Sequence, residues 1–414
     1  MALLGSIVRR SSACNGKCSQ KPTRSLIIVG VAAVLAVSSL ATRSTAWGQA
    51  PRPTAPTADL ANIRKTNLDG PDRTSVENWV GQQIQQLFAA TNDKAAQSQG
   101  QKFFEEVQTH TKAADATPPF REGLATILAT AFNKQYPSSS ATRRPLATVY
   151  VLMSINQAQM SIPQTTAPAV PVMDAFKLAL TDTTSGGRYL GASGLLNLLK
   201  KLNDDQWRVL LPDVQKAATA EKSPIVLGQL YDFLLKAEGS RIEAAIPILA
   251  NILDARLVQF DQNKGWPTLA DANAAKWLSE KLANSANTQL QMRAVSILAR
   301  LMTNAMYAYV TKPGDAWSES LEKTIRACEA SLKSLVSARA ANAQLPNPDV
   351  TTAMLENSHQ QVEAMMTALQ KWIGTSNKPG VLNAAPFNLE PGLKIAPPTL
   401  SPTTEPTTAT AVSE

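Results

Sequence analysis

Between about residue 74 and residue 373 the apolar residues of this chain recur at every third and fourth position. No stretch alternates apolar and polar residues as a half-buried strand would. The period predicts helices. Val76, Val80, Ile84 and Leu87 form one helical face, and Thr74 with Glu77 has the spacing of a capping box ahead of it. Further helices are expected near 95–112, 120–135 and 142–159, separated by Pro118 and Pro119 and by Pro137 with its serines. Trp207, Leu210, Leu211, Val214 and Ala218 mark a helix that contains Pro212, and a second runs from Pro224 to Lys236. Ile242, Ile246, Leu249 and Leu253 mark another around Pro247, and Met292 to Leu301 a further one. A proline inside a helix removes a hydrogen bond and bends it, so prolines in successive helices predict bent helices in a series.

The last helices have a different pattern. Leu321, Ile325, Cys328, Leu332 and Leu335 alternate spacings of four and three, the seam of a coiled coil. After the turn Leu345-Pro-Asn-Pro-Asp349, a second seam runs through Leu355, His359, Val362, Met366, Leu369 and Ile373, with Asp349 placed to cap its helix. A short turn between two such helices predicts an antiparallel hairpin over 315–373, packed on the helices before it. On either side the periodicity stops. Residues 47–73 are rich in Pro, Thr and Ala and read as a linker; residues 374–414 have the same character and are expected to be a disordered tail. The helical-repeat part is thus bounded at 74–314.

One segment has a more particular form. Pro171 opens a helix that ends at Asp182; a short loop leads to Arg188 and then to the small-residue helix Tyr-Leu-Gly-Ala-Ser-Gly-Leu-Leu, with Gly191, Ala192, Gly194, Leu195 and Leu198. This unit, near 168–201, resembles a HEAT repeat. Asp182 and Arg188 stand where that family places its Asp and Arg, and the glycines stand where it lets helices approach. The resemblance implies an all-α fold, an α-α superhelix of HEAT or armadillo type, whose stacked pairs form an extended groove for another protein.

Composition alters this picture mainly through the N-terminus. The formal charge of +8 comes largely from Arg9, Arg10, Lys17, Lys21, Arg24 and Arg43, all within the first 50 residues, which hold no acid. Taking those six from the 40 basic residues leaves 34 against 32 acidic ones. A chain so near neutrality has no field to gather nucleic acid or an anionic membrane. After the basic stretch, Leu26 to Ala41 is an unbroken run of apolar and small residues. As a helix it would span roughly 24 Å, short of a hydrocarbon core of roughly 30 Å. That favours a signal peptide over residues 1–46, cleaved after Ala46 or Ala50, with export to the periplasm or surface of a bacterium and no membrane contact after cleavage. Cys14 and Cys18 lie in that leader, so Cys328 remains alone and no internal disulfide is available to the rest.

Little chemistry is apparent. The two histidines, His110 and His359, are far apart, and no zinc motif or acidic calcium loop occurs, so no metal or cofactor is expected. His110 is expected at a helix C-terminus against free carbonyls. His359, in the seam, is expected to be half-buried and acid-sensitive. Cys328, by its seam position, is expected to be a small buried hydrophobe rather than a nucleophile. Gly186, Gly187, Gly191 and Gly194 lack the Lys-Ser/Thr and the preceding strand of a phosphate loop. Glu105 with Glu106, and Asp204 with Asp205, are neighbours in sequence and cannot face each other across a cleft on a helix. No catalytic residue is assigned. Among the tryptophans, Trp266, between Gly265 and Pro267 in a turn, is the candidate for an exposed ligand-binding aromatic.

The sequence therefore predicts a non-enzymatic interaction scaffold of the cell envelope, whose partner is another envelope protein or a peptide segment. An enzyme acting on envelope polysaccharide, or a structural envelope component, are the alternatives. A pair of acids converging in a deep pocket would distinguish the enzyme; a shallow open groove would distinguish the scaffold.

Overall fold

The helix starts are set by side chains that accept from free backbone amides. Asn92 accepts from the Ala95 amide at 2.9 Å, Thr117 from Phe120, Thr184 from Gly187 and Asn203 from Gln206. At Asn203 the box is closed reciprocally, since its own amide donates to Gln206 Oε1. Prolines at the first turns of several helices supply a preset φ where no amide partner is needed.

In this computed structural model the described residues are 58–139, 145–282, 287–311, 318–340, 343–355, 361–375 and 377–389. Among them the chain is all-α, with 15 helices and no strand beyond one isolated bridge. The helices are α1 (Leu60–Ile63), α2 (Gly70–Phe88), α3 (Asp93–Lys112), α4 (Pro118–Gln135), α5 (Pro145–Met160), α6 (Val170–Ala179), α7 (Ser185–Leu198), α8 (Asp204–Ala220), α9 (Pro224–Leu235), α10 (Arg241–Asp261), α11 (Leu269–Leu282), α12 (Thr288–Thr311), α13 (Ser318–Arg339), α14 (Val350–Met354) and α15 (Gln361–Ile373).

The helices fall into two rows. In one, α2 packs on α4 and α4 on α6, then α8 on α10 and α10 on α12. In the other, α3, α5, α7, α9, α11 and α13 pack in that order. Each helix also touches its chain neighbour in the other row, and one continuous apolar core runs between the rows. Ion pairs join successive helices of the first row: Lys177 of α6 to Asp213 of α8 at 3.3 Å, Arg241 of α10 to Asp204 of α8 at 2.8 Å, and Arg293 of α12 to Asp254 of α10 at 2.6 Å. Arg300 of α12 pairs with Asp261 of α10.

The glycines of the α6–α7 pair allow close packing. A Cβ at Gly194 would fall 2.2 Å from the Phe176 ring, and one at Gly191 would fall 2.9 Å from the Phe176 carbonyl. Their absence lets α7 lie directly on α6. Pro212 and Pro247 lie inside α8 and α10, as the pattern predicts.

Four expectations need correction. The capping box at Thr74 does not form. Pro71 fits the first turn, so α2 begins at Gly70; Thr74 instead donates to the Gly70 carbonyl, and Glu77 pairs with Arg73. The linker expected to run to residue 73 ends sooner, because Ala58, Leu60, Ile63 and Leu68 are buried in the core. Likewise the tail does not start at 374 as expected. Residues 377–389 fold back on α15 and bury Leu382 and Phe387. In both places a few apolar residues within a Pro- and Thr-rich stretch suffice to anchor it. Finally, the second seam is shifted. Leu355 is exposed, and α15 turns Met365, Ala368 and Trp372 inward together with Leu369 and Ile373 of the expected seam. The first seam holds as expected, and α13 lays it against α11 and α12 rather than chiefly against α15. The proposed leader, residues 283–286, Trp317, His359 and residues 390–414 lie outside the described residues.

Candidate functional site

A chain of charged groups runs through the middle of the stack. Arg188 on α7 makes a two-pronged bond to Glu221, Nε to Oε2 at 2.7 Å and Nη2 to Oε1 at 3.0 Å. Burial alone would raise the Glu221 pKa. Arg188 and the Ser223 and Lys222 amides outweigh it and hold the carboxyl below its ordinary range. Arg256 on α10 makes a second such pair with Asp271 on α11, at 2.7 and 3.2 Å, and both side chains are buried. Its Nη1 also donates to the carbonyls of Ala218 and Glu221, which ties α8 to α10. Asp271 further accepts from Thr268 and, at 2.7 Å, from the Tyr231 hydroxyl of α9. Complete burial first, then the Asp271 charge, drives the Tyr231 phenol well above its usual pKa, so it stays a neutral donor.

Tyr231 lies at the bottom of a groove between α9 and α11. Its other lining residues are Pro224, Ile225, Gly228, Asp232 and Leu235 of α9, Leu269, Ala270 and Asn273 of α11, and Ser320 at the start of α13. The volume is about 280 Å³ and the site is wide open to solvent. Its walls are mostly apolar. Ile225 stands 70% exposed on the rim. Gly228 has no atom within 4 Å of where a Cβ would be, in contrast to Gly191 and Gly194. Among the described lining residues Asp232 is the one acid, and it pairs along its helix with Lys236. The groove thus holds mostly apolar walls, one buried phenol, and a few amide and hydroxyl groups. Such a surface can hold a side chain or a short backbone segment.

The residues singled out in the sequence are mostly elsewhere. Trp266 is half-buried and packs on the core in the loop before α11, outside the groove lining. Cys328 is completely buried, and burial pushes its thiol far above the usual range, which suits a packing role. Asp204 and Asp205 open α8, with Asp204 bound to Arg241 and Ser240; Glu105 and Glu106 lie on α3. His110 is in the last turn of α3 as expected, but its ring meets the Arg64 guanidinium rather than a carbonyl. At that helix end the Ala113 carbonyl accepts from Arg121, and those of Val107 and Gln108 accept from the Thr111 hydroxyl. Asp182 and Arg188 do come together, although Arg188 donates to the Asp182 carbonyl and reserves its fork for Glu221. The Asp182 carboxylate instead accepts from Thr184 and from the Tyr136 hydroxyl.

Sequence reasoning missed Ile225, Gly228 and Tyr231. Ile225 had a detectable signal, since it falls outside the Val226, Leu227, Leu230, Leu234 face, as did an unexplained glycine within a helix. Asn273 and Ser320 carried none, because only packing brings α11 and α13 beside α9.

Among the described residues the chain is an all-α protein of two packed helix rows, with an open, mostly apolar groove in one of them. No family model and no curated protein sequence matches this chain.

Proposed function

We propose that the chain is an exported, HEAT-like helical-repeat scaffold that holds a segment of another envelope protein in the groove between α9 and α11. The groove carries this reading: it is open and mainly apolar, with an exposed isoleucine and a single acid among its described lining residues. The export element rests on the leader sequence alone.

The repeat element is supported by a recurring bond pattern. Lys201 donates to the carbonyls of Gln159 and Ile162, at separations of 42 and 39 residues. Arg241 donates to those of Leu199 and Leu202, at the same two separations. Each cation thereby closes the end of a helix one step back along the stack, and the whole constellation advances by 40 residues. A period of roughly 40–47 residues is that of HEAT and armadillo units. Repeats of this kind gather partners along an extended surface rather than transform them.

The test uses the mature chain immobilised against envelope extract, in wild-type form and as Ile225→Arg. Wild type should retain one protein in stoichiometric amount. The variant, altered at an exposed position, should lose it at an unchanged melting temperature. Retention that ignores Ile225→Arg, or retention of polysaccharide only, overturns the assignment.

A further inference from the structure

The segment before α2 is held to the body by four buried apolar residues, by bonds from Thr117, and by one polar anchor beside an imidazole. Residues 58–68 form a strap that carries α1 and crosses the α3–α4 connection. Thr117 at the start of α4 donates its amide to the Arg64 carbonyl at 2.9 Å and its hydroxyl to the Thr66 carbonyl at 2.6 Å. Leu68 fills a slot that Gly123 of α4 leaves open, where a Cβ would fall 2.5 Å from the leucine side chain. Arg64 is the strap's polar anchor. Its Nη2 donates to Asp115 at 3.1 Å, and its Nε sits 2.8 Å from the other Asp115 oxygen, at an angle that leaves that proton unshared. Its Nη1 lies 3.4 Å from His110 Nδ1 on α3.

A guanidinium has only donors, so this contact requires the imidazole nitrogen to accept. The ring must therefore be neutral. A proton on Nδ1 removes the acceptor and sets two cations side by side. We propose that His110 is an acid-sensitive latch, whose protonation loosens the strap 58–68 against the α3–α4 connection while its apolar residues stay docked.

The charged groups around the ring are Arg64 and Lys65 of the strap, Asp59 at its start and Asp115 of the connection. Arg121 of α4 is engaged with the Ala113 and Ser161 carbonyls. Burial and then Arg64 lower the His110 pKa from its ordinary 6.5, and Asp115 and Asp59 offset only part of this. A histidine depressed in the folded state stabilises that state fully above its ordinary value. The contribution is lost as pH falls from there toward the depressed value. The latch therefore holds at neutral pH and opens in mild acid. Asp115 is exposed and keeps Arg64 nearby, so opening is local and leaves the rows of helices intact.

Hydrogen exchange on the full chain, read by mass spectrometry at pH 7.5 and 5.5 and corrected for intrinsic rates, tests this. In wild type, peptides covering 58–68 and the Thr117 amide should exchange faster at the lower pH. The change should be up to about tenfold for each unit by which His110 is depressed. His110→Gln keeps an acceptor and cannot charge, so its exchange should not respond to pH. His110→Lys should be open at both values. An equal response in His110→Gln and wild type, or none in wild type, overturns the latch. So does an imidazole titration in wild type, followed by nuclear magnetic resonance, with a midpoint at or above 6.5.

Discussion

Asp271 illustrates how much one buried side chain can hold together here. It is fully buried, and its two oxygens accept from Arg256, Tyr231 and Thr268, groups on α10, on α9 and at the entry to α11. The pair with Arg256 is itself a modest source of stability, because removing two charges from water offsets most of their attraction. Removing one partner is another matter. Asp271→Ala leaves Arg256 buried and charged, and we expect it to cost about 3–5 kcal/mol in urea unfolding. A variant within 1 kcal/mol of wild type would show that Arg256 reaches solvent. The sequence displays Asp271 as one acid among 32 and gives no hint of this role. Cys328 was easier. Its seam position alone indicated burial, since a helical period specifies which residues face inward without needing a partner's identity.

At the scale of the helix, the glycines divide into two kinds. On α7, Gly194 makes room for Phe176; on α9, Gly228 makes room for nothing among the described residues. The two positions should respond oppositely to alanine. Gly194→Ala forces a methyl into the Phe176 ring and should destabilise by about 1–3 kcal/mol. Gly228→Ala adds a methyl into open space within a helix and should stabilise by roughly 1 kcal/mol through its better helix propensity. Paired thermal melts would check both signs at once. A loss at Gly228 would mean that α9 is packed more closely than it stands here. Helix existence was largely legible, because period and caps are local properties. Helix starts were less so. At Thr74 the box residues were present, but Pro71 three residues upstream offered an earlier start.

Across the whole molecule, each helix packs mainly on near neighbours in sequence, so stability is expected to propagate step by step. Glu329 on α13 is a place to see this. Buried, it accepts from the Val350 and Thr351 amides, the Thr351 hydroxyl and the Trp372 indole, and so secures α14 and α15 to α13. Glu329→Gln turns an amide donor toward those donors and should cost about 3 kcal/mol locally. Native-state hydrogen exchange should show α13 to α15 opening more readily while α2 to α6 keep their protection. Uniform loss of protection along the chain would mean a single cooperative unit.

Local pattern alone was enough to show that the chain is helical, roughly where its helices lie, most of the residues that face inward, and that small residues let two helices approach closely within 168–201. All of these follow from period, caps and small residues, which act over a few positions. It took the packed molecule to reveal that residues 58–68 and 377–389 belong to the body, that Arg188 finds Glu221 rather than the Asp182 carboxylate, and that α9 and α11 part to leave a groove. All but the docking of 377–389 depend on groups more than 30 residues apart meeting in space, and no local pattern encodes which of many similar side chains will be the one that arrives.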